Sequence, residues 1–167
     1  LAGVNQVARK DTKSFALARS SVGRHPTRLI LDQESNQLIS VNTFDDTLSV
    51  LDPETLQVSK TLPLGVLATR TFSQTGEEHF FDSRLSLDGW FSCHSCHTDG
   101  HTTSLLNDNF GDSTFNTPKR ILSLMGTGAT EPWGWNAGQI DLRNQIRSSI
   151  SSTMGGPDSH GPKVDDR

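Results

Sequence analysis

The stretch TRLILDQESNQLISVNTFDDTLSVLDPETLQVSKTL, Thr27 to Leu62, decides the fold of the N-terminal part of this chain. It breaks into four short runs in which apolar and polar residues alternate: TRLIL (27–31), QLISVN (37–42), TLSVLD (47–52) and QVSKTL (57–62). A period of two sends alternate side chains to opposite faces of a sheet, so each run is predicted as a strand. Turn-forming residues separate the runs: Asp32-Gln33-Glu34-Ser35-Asn36, Thr43-Phe44-Asp45-Asp46 and Asp52-Pro53-Glu54-Thr55. Four strands joined by tight turns make an antiparallel meander. A lone meander leaves one apolar face uncovered and needs something to pack against.

Working outward, the alternating pattern reaches from Phe15 to about Gly65. Gly23, Pro26, Ile30, Asn42, Val50, Asp52, Thr55, Val58 and Gly65 are spaced as in the repeats of YVTN-type β-propeller proteins, and the region resembles that family. Gly23 and Gly65 lie 42 positions apart, the length of a propeller blade. Ile39-Ser40-Val41-Asn42 stands where the family has its signature, without the tyrosine. The resemblance implies one full blade, with Phe15 to Ser20 belonging to a neighbouring one, and the remainder of a β-propeller as its partner. A generic four-stranded sheet is the alternative reading.

Composition narrows the classes. The chain has 167 residues, 32% of them apolar, and a net charge of −4. That charge, with no basic stripe, argues against a nucleic-acid or anionic-membrane surface. No apolar run approaches a membrane span. The first residue is Leu1 and not Met, which fits a processed product or a fragment. There is no tyrosine, so a tyrosine iron ligand within the chain is excluded.

After Pro63 the alternation fades. QTGEEHFFDSRLS (74–86) is read as a first helical turn with its acids near the N-terminus, followed by Phe80-Phe81 as an apolar anchor. DLRNQIRSSISSTM (141–154) is predicted as a helix opened by Asp141, with Leu142, Gln145, Ile146 and Ile150 on one face. Gly155 to Arg167 is expected to be loosely held.

Both cysteines stand in DGWFSCHSCHTDGHTTS (88–104). Cys93-His94-Ser95-Cys96-His97 is C-x-x-C-H, the attachment motif of haem c. Two thiols three residues apart on a helical turn point the same way and can add to the two haem vinyl groups. The imidazole directly after the second is then aimed at the iron. A redox pair would not need the histidine and usually sits in a βαβ unit, which is absent here. A zinc site from Cys93, Cys96, His97 and His101 has acceptable ligands and spacing and stays open beside haem.

The flanks carry a second resemblance. Phe80 to Ser86 and Ser92 to His97 are similar to the run before the first haem of the bacterial di-haem cytochrome c peroxidase family. Asn116-Thr117-Pro118, Trp135-Asn136-Ala137-Gly138, Asp141-Leu142, Gln145 and Met154-Gly155 are similar to later segments of that family, so the likeness covers roughly 77–156. It implies one covalent haem c on Cys93 and Cys96, with His97 as the proximal iron ligand and Met154 as the distal one. Trp90, Trp133 and Trp135 are candidates to line the haem, and Trp135 stands where the family places a tryptophan between two haems. A core-filling role for Met154 and packing roles for Trp90, Trp133 and Trp135 are the alternatives. Met125 is expected to pack, His94 to be exposed, and His101 to face solvent or a haem propionate. His25, His79 and His160 are expected on the surface. Lys119 and Arg120 are propionate partners or surface charges, and Asp88, Asp99, Asp108 and Asp112 are turn residues.

The departures bear on function. No histidine lies between His101 and Asn116, Thr153 stands where the family has a glutamate, and no second C-x-x-C-H occurs in these 167 residues. Peroxide cleavage by general acid–base chemistry then lacks its proton shuttle. The expected architecture is an α+β composite: partial β-propeller blade(s) over 1–66, a small, mainly α-helical cytochrome c domain over 67–156, and the tail over 157–167. The expected function is extracytoplasmic electron transfer toward a redox partner protein or other haem subunits. A peroxidase-like haem enzyme with an open distal face is the alternative.

Overall fold

One turn device recurs three times in the first half of the chain. Asp11 accepts hydrogen bonds from the backbone N–H of Lys13 (2.9 Å) and Ser14 (2.6 Å) and from the Ser14 hydroxyl (2.8 Å). Asp52 does the same with Glu54 (2.9 Å), Thr55 (2.7 Å) and the Thr55 hydroxyl (3.0 Å). Asp32 repeats it with Glu34, Ser35 and the Ser35 hydroxyl. Each turn closes on a left-handed residue four positions after the aspartate: Phe15 (φ 59), Asn36 (φ 49) and Leu56 (φ 60). Donation to a carboxylate favours its charged form. The Ser14, Ser35 and Thr55 donors accordingly hold Asp11, Asp32 and Asp52 below their ordinary pKa.

The computed structural model describes residues 1–66, 69–108 and 114–156. Asp112, His160 and the 157–167 tail lie outside the described residues. The chain forms two compact units, Leu1–Phe81 and Asp82–Arg167.

In the first unit, β1 (Gln6–Lys10) and β2 (Leu17–Ser21) form an antiparallel hairpin. β3 (Pro26–Asp32), β4 (Gln37–Asn42), β5 (Thr47–Leu51) and β6 (Val58–Pro63) form the predicted antiparallel meander in sequence order. Register puts Leu31, Leu38, Leu51 and Val58 on one face, with Leu29, Ser40, Ser49 and Thr61 beside them. Ile30, Ile39, Val50 and Lys60 cross the other face, next to Val41, Leu48 and Leu62. The hairpin covers part of the first face. Val7 packs with Leu51 and Leu56, all buried, and Val22, Leu38 and Val58 close around them. Beside this core Asn42 is fully buried; its amide donates to Thr47 Oγ1 (3.0 Å) and Ser49 Oγ (2.8 Å) and its Oδ1 accepts from Ser40 (3.2 Å).

The helix α1 (Phe72–Phe81) belongs to this same unit. It starts earlier than the sequence pattern suggested, because Thr71 and Gln74 form a reciprocal cap: each backbone N–H is bonded by the other's side chain, at 2.9 and 3.3 Å. Its glutamates therefore fall in the second half of the helix and not near its start. There Glu78 accepts from both Arg24 (2.7 Å) and Arg70, while Asp45 accepts from Arg24 (2.6 Å) and lies 3.7 Å from Arg70. Burial works against the Arg24 charge, but the bonds to Asp45 and Glu78 outweigh it and its pKa is raised. His25, expected on the surface, is instead half-buried: it stacks on Phe44 (4.4 Å between centroids) and meets Phe81 (4.7 Å). A flat ring between two phenyls gains contact that solvent exposure would forfeit.

The second unit differs from the mainly helical domain expected. Its α-helices are short, α2 (Cys93–Cys96) and α3 (Leu142–Ser148), and β7 (Leu106–Asn107) pairs with β8 (Lys119–Arg120). The rest of its described residues are 3₁₀ turns and irregular chain, consistent with the Gly, Asn and Asp residues that punctuate it. The predicted C-terminal helix divides. Asp141 caps α3 by accepting from Arg143 N–H (2.8 Å), but from Ser149 to Thr153 the bonding widens to a π-helix that ends at Met154. The whole molecule is thus mixed α and β, with several antiparallel sheets and few helices. Among the described residues no helix is long and apolar enough to cross a membrane.

Candidate functional site

Ser92 and Ser95 set the geometry of the cysteine motif. Ser92 N–H donates to Ser95 Oγ (3.0 Å) and Ser95 N–H to Ser92 C=O (3.0 Å), starting the single turn of α2. His97 N–H closes it on Cys93 C=O (2.9 Å). Both cysteines are free thiols, partly buried, and burial raises the pKa of each, so they are protonated at neutral pH.

The segment Arg120–Leu124 holds this loop in place. Leu122 C=O accepts from His97 Nδ1 (2.9 Å), and Leu124 N–H donates to Gly100 C=O (3.1 Å). Ile121 C=O accepts from the Thr102 hydroxyl (2.6 Å), and Ser123 Oγ meets His101 Nδ1 (2.5 Å). Arg120 C=O takes the Trp135 indole N–H (2.8 Å). A carbonyl can only accept, so His97 carries its proton on Nδ1 and keeps Nε2 for a ligand. That arrangement fixes the ring and its tautomer. No motif announces this rail, because it acts mainly through backbone carbonyls, which every residue type possesses.

The structure brings Cys93, Cys96, His97 and Trp135 onto one framework. Met154 is 5% exposed and fixed by Leu87 N–H donating to its carbonyl (2.9 Å). Behind it the chain is tight: a Cβ on Gly156 would lie 2.2 Å from the Leu85 carbonyl oxygen. Trp90 is 73% exposed, with its ring edge against Phe91. Trp133 is a packing residue whose indole donates to Thr127 C=O (2.8 Å). Met125, expected to pack, is exposed, since Gly126 turns the chain away in the left-handed region (φ 76). His101 is exposed, as expected, with its Nδ1 2.5 Å from Ser123 Oγ, and His94 lies 3.4 Å from Asp99. Lys119 reaches Thr114 and Thr117, and Arg120 reaches Ser104 C=O. Gln145 donates to Ser149 Oγ (3.2 Å).

The donor set fits haem c. It offers two protonated thiols one helical turn apart and an imidazole with Nε2 available. The second unit also lacks a core of its own: among its described residues Met154 is the one buried apolar side chain, while Trp90, Leu105, Leu106, Phe115, Met125 and Ile140 are each more than 60% exposed. A large flat apolar group is what those side chains would cover. Zinc is served less well, since among the described residues no cluster of three or more His, Cys, Asp or Glu side chains could hold a metal ion.

The family model of the di-haem cytochrome c peroxidases matches residues 72–162, more than half of the chain. No curated protein and no solved structure matches.

Proposed function

This chain belongs to the di-haem cytochrome c peroxidase family, and from that premise we propose that it is a c-type cytochrome module carrying one covalently attached haem for electron transfer. When bound, the haem supplies a one-electron iron couple whose potential a thioether ligand raises. Cys93 and Cys96 would hold the group through thioether bonds, and His97, its ring fixed by Leu122 C=O, would offer Nε2 to the iron. Met154 would offer its sulfur as a second iron ligand, and Trp135 and Trp90 would contact the porphyrin. The observation that supports the reading is the C-x-x-C-H turn itself, in which the His97 bond to Leu122 C=O holds the imidazole beside two thiols one helical turn apart.

The test is the mass and optical spectrum of the purified protein, followed by the variant Met154→Ala. One haem mass, resistant to acid–acetone extraction, with a low-spin c-type spectrum that becomes high-spin in the variant is the expected result. A colourless protein, or pigment that extracts, overturns the proposal; an unchanged spectrum in the variant removes Met154. Family membership itself favours one alternative, a peroxidase-like enzyme. High-spin ferric iron and tight cyanide binding in the unmodified protein would select it over the carrier.

The first unit is proposed to be part of a β-propeller, forming with the haem unit one extracytoplasmic protein that serves a redox partner or other haem subunits. Its support is internal repetition. The turn after β1 and the turn after β5 bond alike, at Asp11 and Asp52, Ser14 and Thr55, Phe15 and Leu56, each pair 41 positions apart. The equivalent of Val7 on that offset is Leu48, on the sheet face opposite the one that Val7 covers. One repeat therefore stacks its far face on the near face of the next, as blades do.

A further inference from the structure

The sheet β3–β6 is covered unevenly. Leu51 and Leu56, under the β1–β2 hairpin, are 1% and 2% exposed, whereas Leu29 and Leu31, on the same face at β3, are 53% and 54% exposed. Among the described residues β1 pairs only with β2. Its other edge is defined by the ladder. Asn5 C=O accepts from Val22 N–H (3.0 Å) and Asp11 N–H donates to Ala16 C=O (2.9 Å), so residues of that parity bond to β2. Gln6, Ala8 and Lys10 consequently aim their backbone groups away from it; Gln6 N–H is taken by Leu1 C=O (3.3 Å), which leaves Ala8 and Lys10 as the open donors.

We propose that an antiparallel β-hairpin with the grammar of β3–β4 pairs along this free edge of β1 and lays aliphatic side chains over Leu29 and Leu31. The proposal rests on the propeller reading and specifies which edge and which face the neighbouring strands take. The repetition supplies the occupant. β5–β6 matches β1–β2 turn for turn, and β5 is flanked by β4 and β3. Two further strands beside β1 complete the same four-stranded unit and continue the contact already made by Val7 and Val22 on Leu51, Leu56 and Val58. They fall over the β3 side of the face, where Leu29 and Leu31 stand bare. An unpaired strand edge otherwise invites indiscriminate pairing.

In the test, a second copy of residues 24–46 is joined ahead of Leu1 in the full chain. Tethering keeps the hairpin near millimolar effective concentration, so weak intrinsic folding does not mask docking. Hydrogen exchange is read at Ala8 and Lys10, with the amides of Val50 and Leu51 as the control for an intact sheet. Exchange at the two β1 amides should slow at least tenfold, and Leu29→Asp with Leu31→Asp in the original sheet should abolish the effect. These two side chains are half exposed, so the variant keeps its fold. Unchanged exchange with an intact sheet overturns the proposal. Protection that survives at Leu29 and Leu31 but is lost with Ile30→Asp and Ile39→Asp means docking on the opposite face; the inference then fails and the propeller reading stands. Protection sensitive to neither pair also overturns the inference. No protection anywhere on the sheet removes both. In the untethered chain, protection of β1 that disappears on dilution names a second copy as the occupant, against the proposal.

Discussion

Gly23→Ala puts the packing argument for the first unit to its sharpest test. A Cβ at Gly23 would lie 2.6 Å from Asn42 Nδ2, 2.7 Å from its Cγ and 2.8 Å from its Cβ. Asn42 is fully buried and bonded to Ser40, Thr47 and Ser49, so it cannot swing into solvent to make room. Overpacking of this kind costs about 1–3 kcal/mol, and displacing the amide forfeits one or two hydrogen bonds at about 0.5–1.5 kcal/mol each. The sum is roughly 1.5–6 kcal/mol, and at about 4–8 °C per kcal/mol for a unit of this size even the lower figure takes about 6–12 °C off Tm. Gly65 is the built-in control. It occupies the same place in the repeat, but nothing lies within 4 Å of its virtual Cβ, so Gly65→Ala should stay within about 0.5 kcal/mol. In the double variant Gly23→Ala/Asn42→Ala the clash disappears, and the combined loss should be smaller than the sum of the single losses. All three tryptophans, Trp90, Trp133 and Trp135, lie in the second unit, so unfolding of the first is followed by far-UV circular dichroism or amide exchange in urea. Equal effects at Gly23 and Gly65, or strict additivity in the double variant, would refute the reasoning.

Two further outcomes follow from the charges of the first unit. Glu78→Gln leaves Arg24 and Arg70 with Asp45 as their one remaining shared carboxylate; it should cost about 2 kcal/mol, below the roughly 3–5 of a fully buried pair, because Asp45 stays in place and Arg24 is 37% exposed, so solvent screens it. Amide exchange should accelerate along Phe72–Phe81 while β4 and β5 keep their protection; a uniform loss across the unit counts against a localised clamp. Asp11, Asp32 and Asp52 have folded-state pKa values below the ordinary 3.8, so their contribution is fully present above about pH 4 and is lost as pH falls through the lowered folded values. The urea midpoint should therefore drop on acidification below pH 4, and less steeply in Asp52→Asn, which keeps an acceptor oxygen without a titrating charge. An identical slope in that variant would rule out the turn carboxylate as a source.

What could be read from the sequence was what local chemistry dictates. The meander follows from a period of two interrupted by Asp-x-x-Ser/Thr turns, and each turn is decided within five residues. The attachment loop follows from three side chains within five positions. The reading failed where a partner lay far along the chain. His25 looked like an isolated surface histidine because Phe44 and Phe81, which enclose it, are 19 and 56 residues away. The start of α1 was missed for a local reason: Thr71-Phe72-Ser73-Gln74 carries a recognisable cap, but the acids at Glu77 and Glu78 drew the N-terminus toward themselves. The cap sets them late in the helix, where Arg24, 54 residues away, and Arg70, just before the cap, both meet Glu78; the distant partner is one that no helix-propensity argument contains.

The two units also show why composition was a poor guide to the second. Four buried apolar side chains, Val7, Val50, Leu51 and Leu56, organise the first unit, and alternation in the strands announces them. The second is organised from the outside, by carbonyls of Arg120, Ile121 and Leu122 gripping Trp135, Thr102 and His97, with Met154 as its one buried apolar side chain among the described residues. Such a framework orients its ligands before it has an interior. Its aliphatic and aromatic residues show no helical or strand period because they have no element to pack against; they are distributed along irregular chain. A porphyrin fastened at Cys93 and Cys96 would give them a common surface, and covalent attachment suits a unit with so little apolar burial of its own. The same logic explains why the histidine after the second cysteine matters for the fold as well as for the iron. Its Nδ1–H is the bond that ties the cysteine loop to the rail, so the group that would bind the metal is also the group that positions the thiols.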